Sequence, residues 1–256
     1  MGGLALNSDG ILISNLTLAY EDRAVFSHLS CRFDPDTAHT ILGPSGCGKS
    51  SLLHAMLGLV KPVSGDISIF GKSPEAARSE TSIVLQEYGL FPWKTVWENI
   101  VLGMRLKNTS GEKLSDAQVE RAHSAAVKLG IDAHLKKYPH QLSGGQKQRV
   151  GLARAWITEP SLMLMDEPFS ALDAMTRESL QNAALSLYSG TWITVTHSIE
   201  EAVFMGRHIW LMQTEKGFYK RFENPHFGDP DFRENPAFYA LCLDIRKAIG
   251  EAFHEA

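Results

Sequence analysis

The sequence predicts an α/β fold organised around a parallel sheet, and two patterns carry that prediction. Short apolar runs at residues 39–42, 83–85, 162–165 and 192–196 lack polar alternation, as strands buried on both faces do. Helical patterns follow three of them, at 49–59, 171–188 and 199–205, and strands alternating with helices imply an α/β core. Earlier runs at 11–18, 24–33 and 66–70, punctuated by Gly, Asp and Pro, read as further strands. The stretch from about 90 to 158 carries mostly helical signals, including 115–129, which opens on the plausible cap Ser115. It reads as a helical lobe inserted into the core. After Phe222 the chain becomes rich in Pro and Asp (Pro225, Pro230, Pro236), as a linker would. It ends in an amphipathic pattern with Phe238, Leu241, Ile245, Ile249 and Phe253 on one face. The expected division is therefore one domain over 1–222, with the lobe at about 90–158 inserted, and a linker plus helix over 223–256.

With 256 residues, 44% of them hydrophobic and 21% charged, the chain has the composition of an ordinary globular protein. Its 25 basic against 29 acidic side chains leave a formal charge of −4, which lacks the basic excess of a nucleic-acid footprint. Cys31, Cys47 and Cys242 form no metal-like pair, and their odd number argues against a disulfide framework, so a reducing compartment is expected. Residues 1–7 show neither a basic segment nor a long apolar one, so no secretory signal is expected, and Leu6 stands where a myristoylation motif needs Ser or Thr. No apolar run approaches membrane-spanning length.

Three motifs carry chemistry. Gly43-Pro44-Ser45-Gly46-Cys47-Gly48-Lys49-Ser50, followed by Ser51, matches a phosphate-binding loop and lies between a predicted strand and a predicted helix. Its glycines let backbone N–H groups wrap phosphates, Lys49 brings a positive charge to the β- and γ-phosphates, and the Ser50 hydroxyl can ligate Mg²⁺. Residues 162–168 form an apolar strand that ends in Asp166 and Glu167. A buried strand ends in two acids when they meet a cation or a proton: Asp166 is suited to Mg²⁺, and Glu167 to activating a water as general base. Adjacent strand residues point to opposite sides, which would give the two acids separate tasks. Leu142-Ser143-Gly144-Gly145-Gln146 places two glycines behind a serine just before a helical pattern, a second set of N–H groups offered to an anion.

In this order and spacing the motifs resemble those of ABC-transporter ATPase subunits, with the match running from about residue 11 to 222. The implied fold is a P-loop NTPase core, with a RecA-like parallel sheet, an N-terminal antiparallel β subdomain and an inserted helical subdomain. Gly43–Ser50 resembles the family's Walker A, Leu142–Gln146 its signature motif, and 162–167 its Walker B with catalytic glutamate. Gln86 resembles the Q-loop glutamine that ligates Mg²⁺ and senses the γ-phosphate. Asp173, closing Ser170-Ala171-Leu172-Asp173, resembles the D-loop aspartate at a dimer seam. His197 resembles the switch histidine, and Tyr20, 29 residues before Lys49, resembles the aromatic that stacks on adenine.

The resemblance implies ATP and Mg²⁺ as cofactors and a homodimer in which Lys49 of one subunit and Ser143, Gly144 and Gly145 of the other enclose one nucleotide. It further implies two integral-membrane permease subunits, an extracytoplasmic solute-binding protein, no nucleic acid, and a peripheral place on the cytoplasmic face of the cell membrane. The aromatic-rich segment from Glu87 to Asn99, with Leu90-Phe91-Pro92-Trp93, resembles importers of nitrate, sulfonates and taurine. In the family that segment receives a coupling helix of the permease. The alternative is an ABC ATPase that regulates a membrane complex or acts on DNA or ribosomes. Only 55 residues separate Gln86 from Leu142, too few for the long coiled coil of the DNA-repair types. One set of motifs also disfavours the two-cassette ribosomal types. Finally, the glycine-rich loop dipoles and Lys49 are expected to lower the Cys47 pKa and to sensitise that thiol.

Overall fold

The computed structural model describes residues 9–20, 23–107, 113–187, 190–214 and 217–254. Strands β1 (Ile11–Tyr20), β2 (Arg23–Phe33) and β3 (Ala38–Leu42) lead into helix α1 (Lys49–Met56). Then come β4 (Ser64–Ile69), the single turn α2 (Pro74–Ala77), β5 (Thr81–Val84) and the helices α3 (Val96–Lys107), α4 (Asp116–Lys128) and α5 (Gly144–Trp156). The chain continues through β6 (Leu162–Asp166), α6 (Ala174–Leu187), β7 (Thr191–Thr196) and α7 (Ile199–Met205). It closes with β8 (His208–Gln213), β9 (Gly217–Glu223) and α8 (Pro236–His254). Two compact units result, Met1–Arg78 with Gly190–Ala256, and Ser79–Ser189.

The first unit contains an antiparallel sheet in the order β2-β1-β4. In β1 the buried residues are Ile11, Ile13, Leu16 and Leu18, a spacing that breaks strict alternation once. A register shift between Ile13 and Leu16, with Asn15 at φ 51°, absorbs the extra residue and keeps both halves facing the core. The same unit holds strands in the order β7-β3-β8-β9. All five residues of β3 and all six of β7 are buried, with His39, Thr40, Thr191, Thr194 and Thr196 enclosed among the apolar side chains, as in strands covered on both faces. Phe33 at the end of β2 meets Trp210 of β8 edge-on at 5.1 Å and so ties the two sheets together. Because β3 runs parallel to both β7 and β8, with Leu42 in register with Thr196, the loop after β3 and the residue after β7 emerge at the same carboxyl edge. That edge is where open α/β sheets bind ligands.

The second unit pairs β5 with β6 in parallel, Thr81 opposite Leu162. The stretch between them holds α3, α4 and α5. Ser115 does cap α4, in a reciprocal box with Gln118, and a similar box of Thr95 and Glu98 opens α3. β8 and β9 stand outside the strands read from the sequence. β8 offered only a four-residue apolar run next to a helix, and its partner β9 is polar on its outer face.

α8 packs within the first unit on a face of Phe238, Cys242, Ile245 and Ala248. This face is rotated from the sequence-derived one: Leu241 and Ile249 are only half-buried. The side chain of Phe253, and residues 1–8, lie outside what the structure describes. Among the described residues no helix is long and apolar enough to cross a membrane.

Candidate functional site: two anion-binding surfaces

β3 delivers the chain into the loop 43–48, and α1 starts at Lys49 with Gly48 as its first flanking residue, at φ 102°. Only glycine fits there: a Cβ would lie 2.5 Å from Val25 Cγ1, and the backbone is left-handed. Gly43 is equally confined, since a Cβ would meet the Met212 carbonyl at 2.5 Å. The Lys49 side chain, 5% exposed, folds back along the loop. Its Nζ donates to the carbonyls of Gly43 at 2.8 Å and Pro44 at 2.9 Å. An ammonium has three donors, so one remains for an anion. His197 follows β7 directly and, with Gly43 and Pro44, lines one cavity of about 270 Å³. Tyr20 ends β1 with 47% of its surface exposed, a usable stacking face. The structure therefore gathers loop and histidine at one sheet edge and leaves Tyr20 on the same unit.

Cys47 departs from the expectation. Its thiol is fully buried, and burial pushes its pKa up, outweighing the downward pull of Lys49 and of the backbone N–H groups. The loop dipoles and the Lys49 charge do act on this thiol, but the loss of water on burial is the larger effect. We expect Cys47 to resist alkylation at neutral pH in the folded protein and to react only after denaturation. Mass spectrometry after brief iodoacetamide treatment checks this; rapid stoichiometric labelling of the native protein would contradict it.

In the second unit β6 is buried throughout and ends at Asp166. Glu167 is not a strand residue: its φ of 44° places it in the left-handed region. The two acids therefore diverge through a backbone turn and not through strand alternation. Such a conformation costs a non-glycine residue about 1–2 kcal/mol. The Ser170 N–H and hydroxyl both donate to the Glu167 carbonyl, at 3.3 and 3.1 Å, which holds the turn. Gln86 lies exposed just after β5. The turn behind it is fastened by Arg154 of α5, whose guanidinium donates to the carbonyls of Gly89 at 2.6 Å and Tyr88 at 3.1 Å.

α5 begins at Gly144, with Ser143 as its cap. The Gln146 N–H donates to Ser143 Oγ at 3.3 Å and the Ser143 N–H donates to Gln146 Oε1 at 3.0 Å. The cap leaves the N–H groups of Gly144 and Gly145 without an intrahelical acceptor, so they can face an anion at the positive end of the helix. A concave surface of about 370 Å³ joins Ser143–Gln146 to Asp173 and to Arg149. Asp173 has a structural task as well: its Oδ1 accepts from the Thr176 N–H at 3.0 Å, which caps α6 and lowers the carboxyl pKa. Arg149 and Arg154 escaped the sequence reading. Each lies among other polar residues of an amphipathic helix, and only the fold shows the carbonyls and the concavity they meet.

These elements fit a phosphate-loop ATPase, with a second open, glycine-rich helix start at α5. The sequence matches the ABC transporter family over residues 26–170, and the chain belongs to that family of ATP-binding, ATP-hydrolysing subunits. It is 40% identical over 208 residues to the taurine import ATP-binding protein TauB of Escherichia coli O157:H7, covering 80% of each chain. The K12 strain's protein of the same name is 39% identical over the same coverage. Among solved structures, a dimeric bacterial ABC transporter cassette superposes with a TM-score of 0.75 at 27% identity, covering 85% of this chain and all of the other. A dimeric post-hydrolysis state of an ATP-binding cassette bound to ADP and Pi gives 0.74 at 26% identity, with the same coverage.

Proposed function

We propose that the chain powers an ABC importer for a small anionic solute of the sulfonate or nitrate type, with two copies closing on ATP. One observation carries the reading: a single chain presents two glycine-rich helix starts with N–H groups suited to an anion, after the 43–48 loop and at α5, on different units. Lys49 and its loop bind the phosphates in one copy, and Ser143, Gly144 and Gly145 of the other copy close on the γ-phosphate, with Asp173 at the seam. Tyr20 stacks on the adenine. Glu167 takes the proton of the attacking water, while His197 and Gln86 orient the γ-phosphate and the water. Mg²⁺ would be held by the Ser50 hydroxyl, the buried Asp166 carboxylate and the Gln86 side-chain oxygen, hard oxygen donors of the kind it prefers. When bound, the metal neutralises phosphate charge. Residues 1–222 form the ATPase, the lobe at about 90–158 receives the permease, and 223–256 are an appendage to that engine.

The lobe's first segment supports a docking role. Trp93 is 69% exposed beside Phe91, and exposed aromatics of this kind anchor partners. The buried amide of Asn99 stiffens the segment: its two N–H groups are shared among the carbonyls of Phe91, Lys94 and Thr95, and its oxygen accepts from the Phe91 N–H. The partners are two permease subunits and a solute-binding protein, and the place is the cytoplasmic face of the membrane. In a complex reconstituted in lipid with those partners, taurine or a related sulfonate should raise ATP turnover severalfold. Turnover indifferent to every sulfonate and to nitrate would remove the substrate class, and failure of the chain to join any permease pair would remove the importer.

A further inference from the structure

Gln146 sits between the Ser143 N–H and the His134 ring, and the first of these fixes where the proton of the second must lie. The Ser143 N–H lies 3.0 Å from one end of the Gln146 amide. A backbone N–H can only donate, so that end is the oxygen. The amide nitrogen is thereby turned toward His134, whose Nε2 is 2.8 Å away. An amide nitrogen also only donates, so His134 Nε2 must accept. The imidazole is then neutral, with its proton on Nδ1. That second nitrogen is buried and, among the described residues, has no hydrogen-bond partner. A buried N–H left in this state is costly. His134 belongs to the short turn Asp132–His134, outside every motif of the sequence, yet its ring ends on the residue that sets the start of α5.

We infer that His134 is a positioning residue for the anion-binding start of α5: as an obligate acceptor it locks the Gln146 amide, and through it the N–H groups of Ser143, Gly144 and Gly145. Shifting the proton to Nε2 sets two donors against each other. The amide then turns, the Ser143 N–H loses its acceptor, and the capping box opens. The inference rests on the proposed two-copy closure, because only there does this helix start meet the nucleotide. Capping alone would be satisfied without His134, as the box of Ser115 and Gln118 on α4 demonstrates with only its own two residues.

Two measurements on the full chain test it. In ¹⁵N-histidine-labelled protein, the ring resonances missing from His134→Gln should report a neutral imidazole protonated on Nδ1; an Nε2-protonated ring would overturn the proposal. Association is then measured in a Glu167→Gln background with ATP and magnesium. His134→Phe removes the acceptor, whereas His134→Gln can return an amide oxygen to the position of Nε2. One neutral hydrogen bond is worth about fivefold in an equilibrium constant, and a symmetric dimer contains two, so His134→Phe should weaken association roughly 25-fold. His134→Gln should recover most of that loss, and all variants should bind ATP alike as single copies, which also establishes that they are folded. Unchanged association of His134→Phe, or equal loss in both variants, would overturn the inference alone. A parent Glu167→Gln that stays single at saturating ATP would instead sink the two-copy reading, and this proposal with it.

Discussion

Glu167→Gln should lower ATP turnover by about a hundredfold or more while leaving nucleotide affinity near the native value. General-base assistance contributes typically ~10²–10⁴ to a rate, and the amide keeps the size of the carboxylate but cannot take a proton. The change is clean because the strain belongs to the backbone. Glutamine inherits the φ of 44°, and Ser170 still donates to the carbonyl of residue 167, so the turn survives. The variant should therefore bind ATP, close and stay closed. Phosphate release measured beside nucleotide binding and light scattering separates these steps. A variant that turns ATP over at the native rate would strip Glu167 of its role as base.

The parts of this site that were legible in the sequence are those whose chemistry is local. A strand, a glycine turn and a helix start are each set by neighbours in the chain, so the 43–50 loop could be placed between β3 and α1 from its residues. Ser115 could likewise be read as a cap. Parallel strands buried on both faces announced themselves by composition, as β3, β6 and β7 did. What stayed hidden depends on distance in the chain. The rise of the Cys47 pKa comes from burial, and the confinement of Gly48 comes from Val25 and Phe26, neither of which the loop encodes. Glu167 leaves the strand only because the turn to Ser170 demands it. The ring of His134 finds Gln146 because an irregular turn returns to the start of α5. β8 shows the same limit: its four apolar residues become a strand when β3 supplies the ladder, and tertiary pairing of that kind outweighs local propensity.

Lys49→Ala is expected to cost more than tenfold in ATP affinity, and the arrangement of the loop explains why the loss should appear in binding before it appears in chemistry. A charge-assisted hydrogen bond contributes about 1.5–3 kcal/mol, and the Lys49 ammonium is positioned before any nucleotide arrives by the carbonyls of Gly43 and Pro44. Little side-chain entropy is then lost on binding, so most of that energy reaches the phosphates. The same bonds give the substitution a second effect. With the ammonium gone, two loop carbonyls lose a donor, so the loop should loosen and the melting temperature fall modestly. The two effects are separable. Lys49→Arg keeps a cation able to donate to those carbonyls, but its planar fork does not reproduce a compact ammonium. It should restore melting more fully than affinity. Calorimetric titration with a non-hydrolysable ATP analogue, run beside thermal melts of both variants, reads each effect independently. An alanine variant that binds the analogue within twofold of the native protein would mean that the N–H groups of the loop hold the phosphates without Lys49.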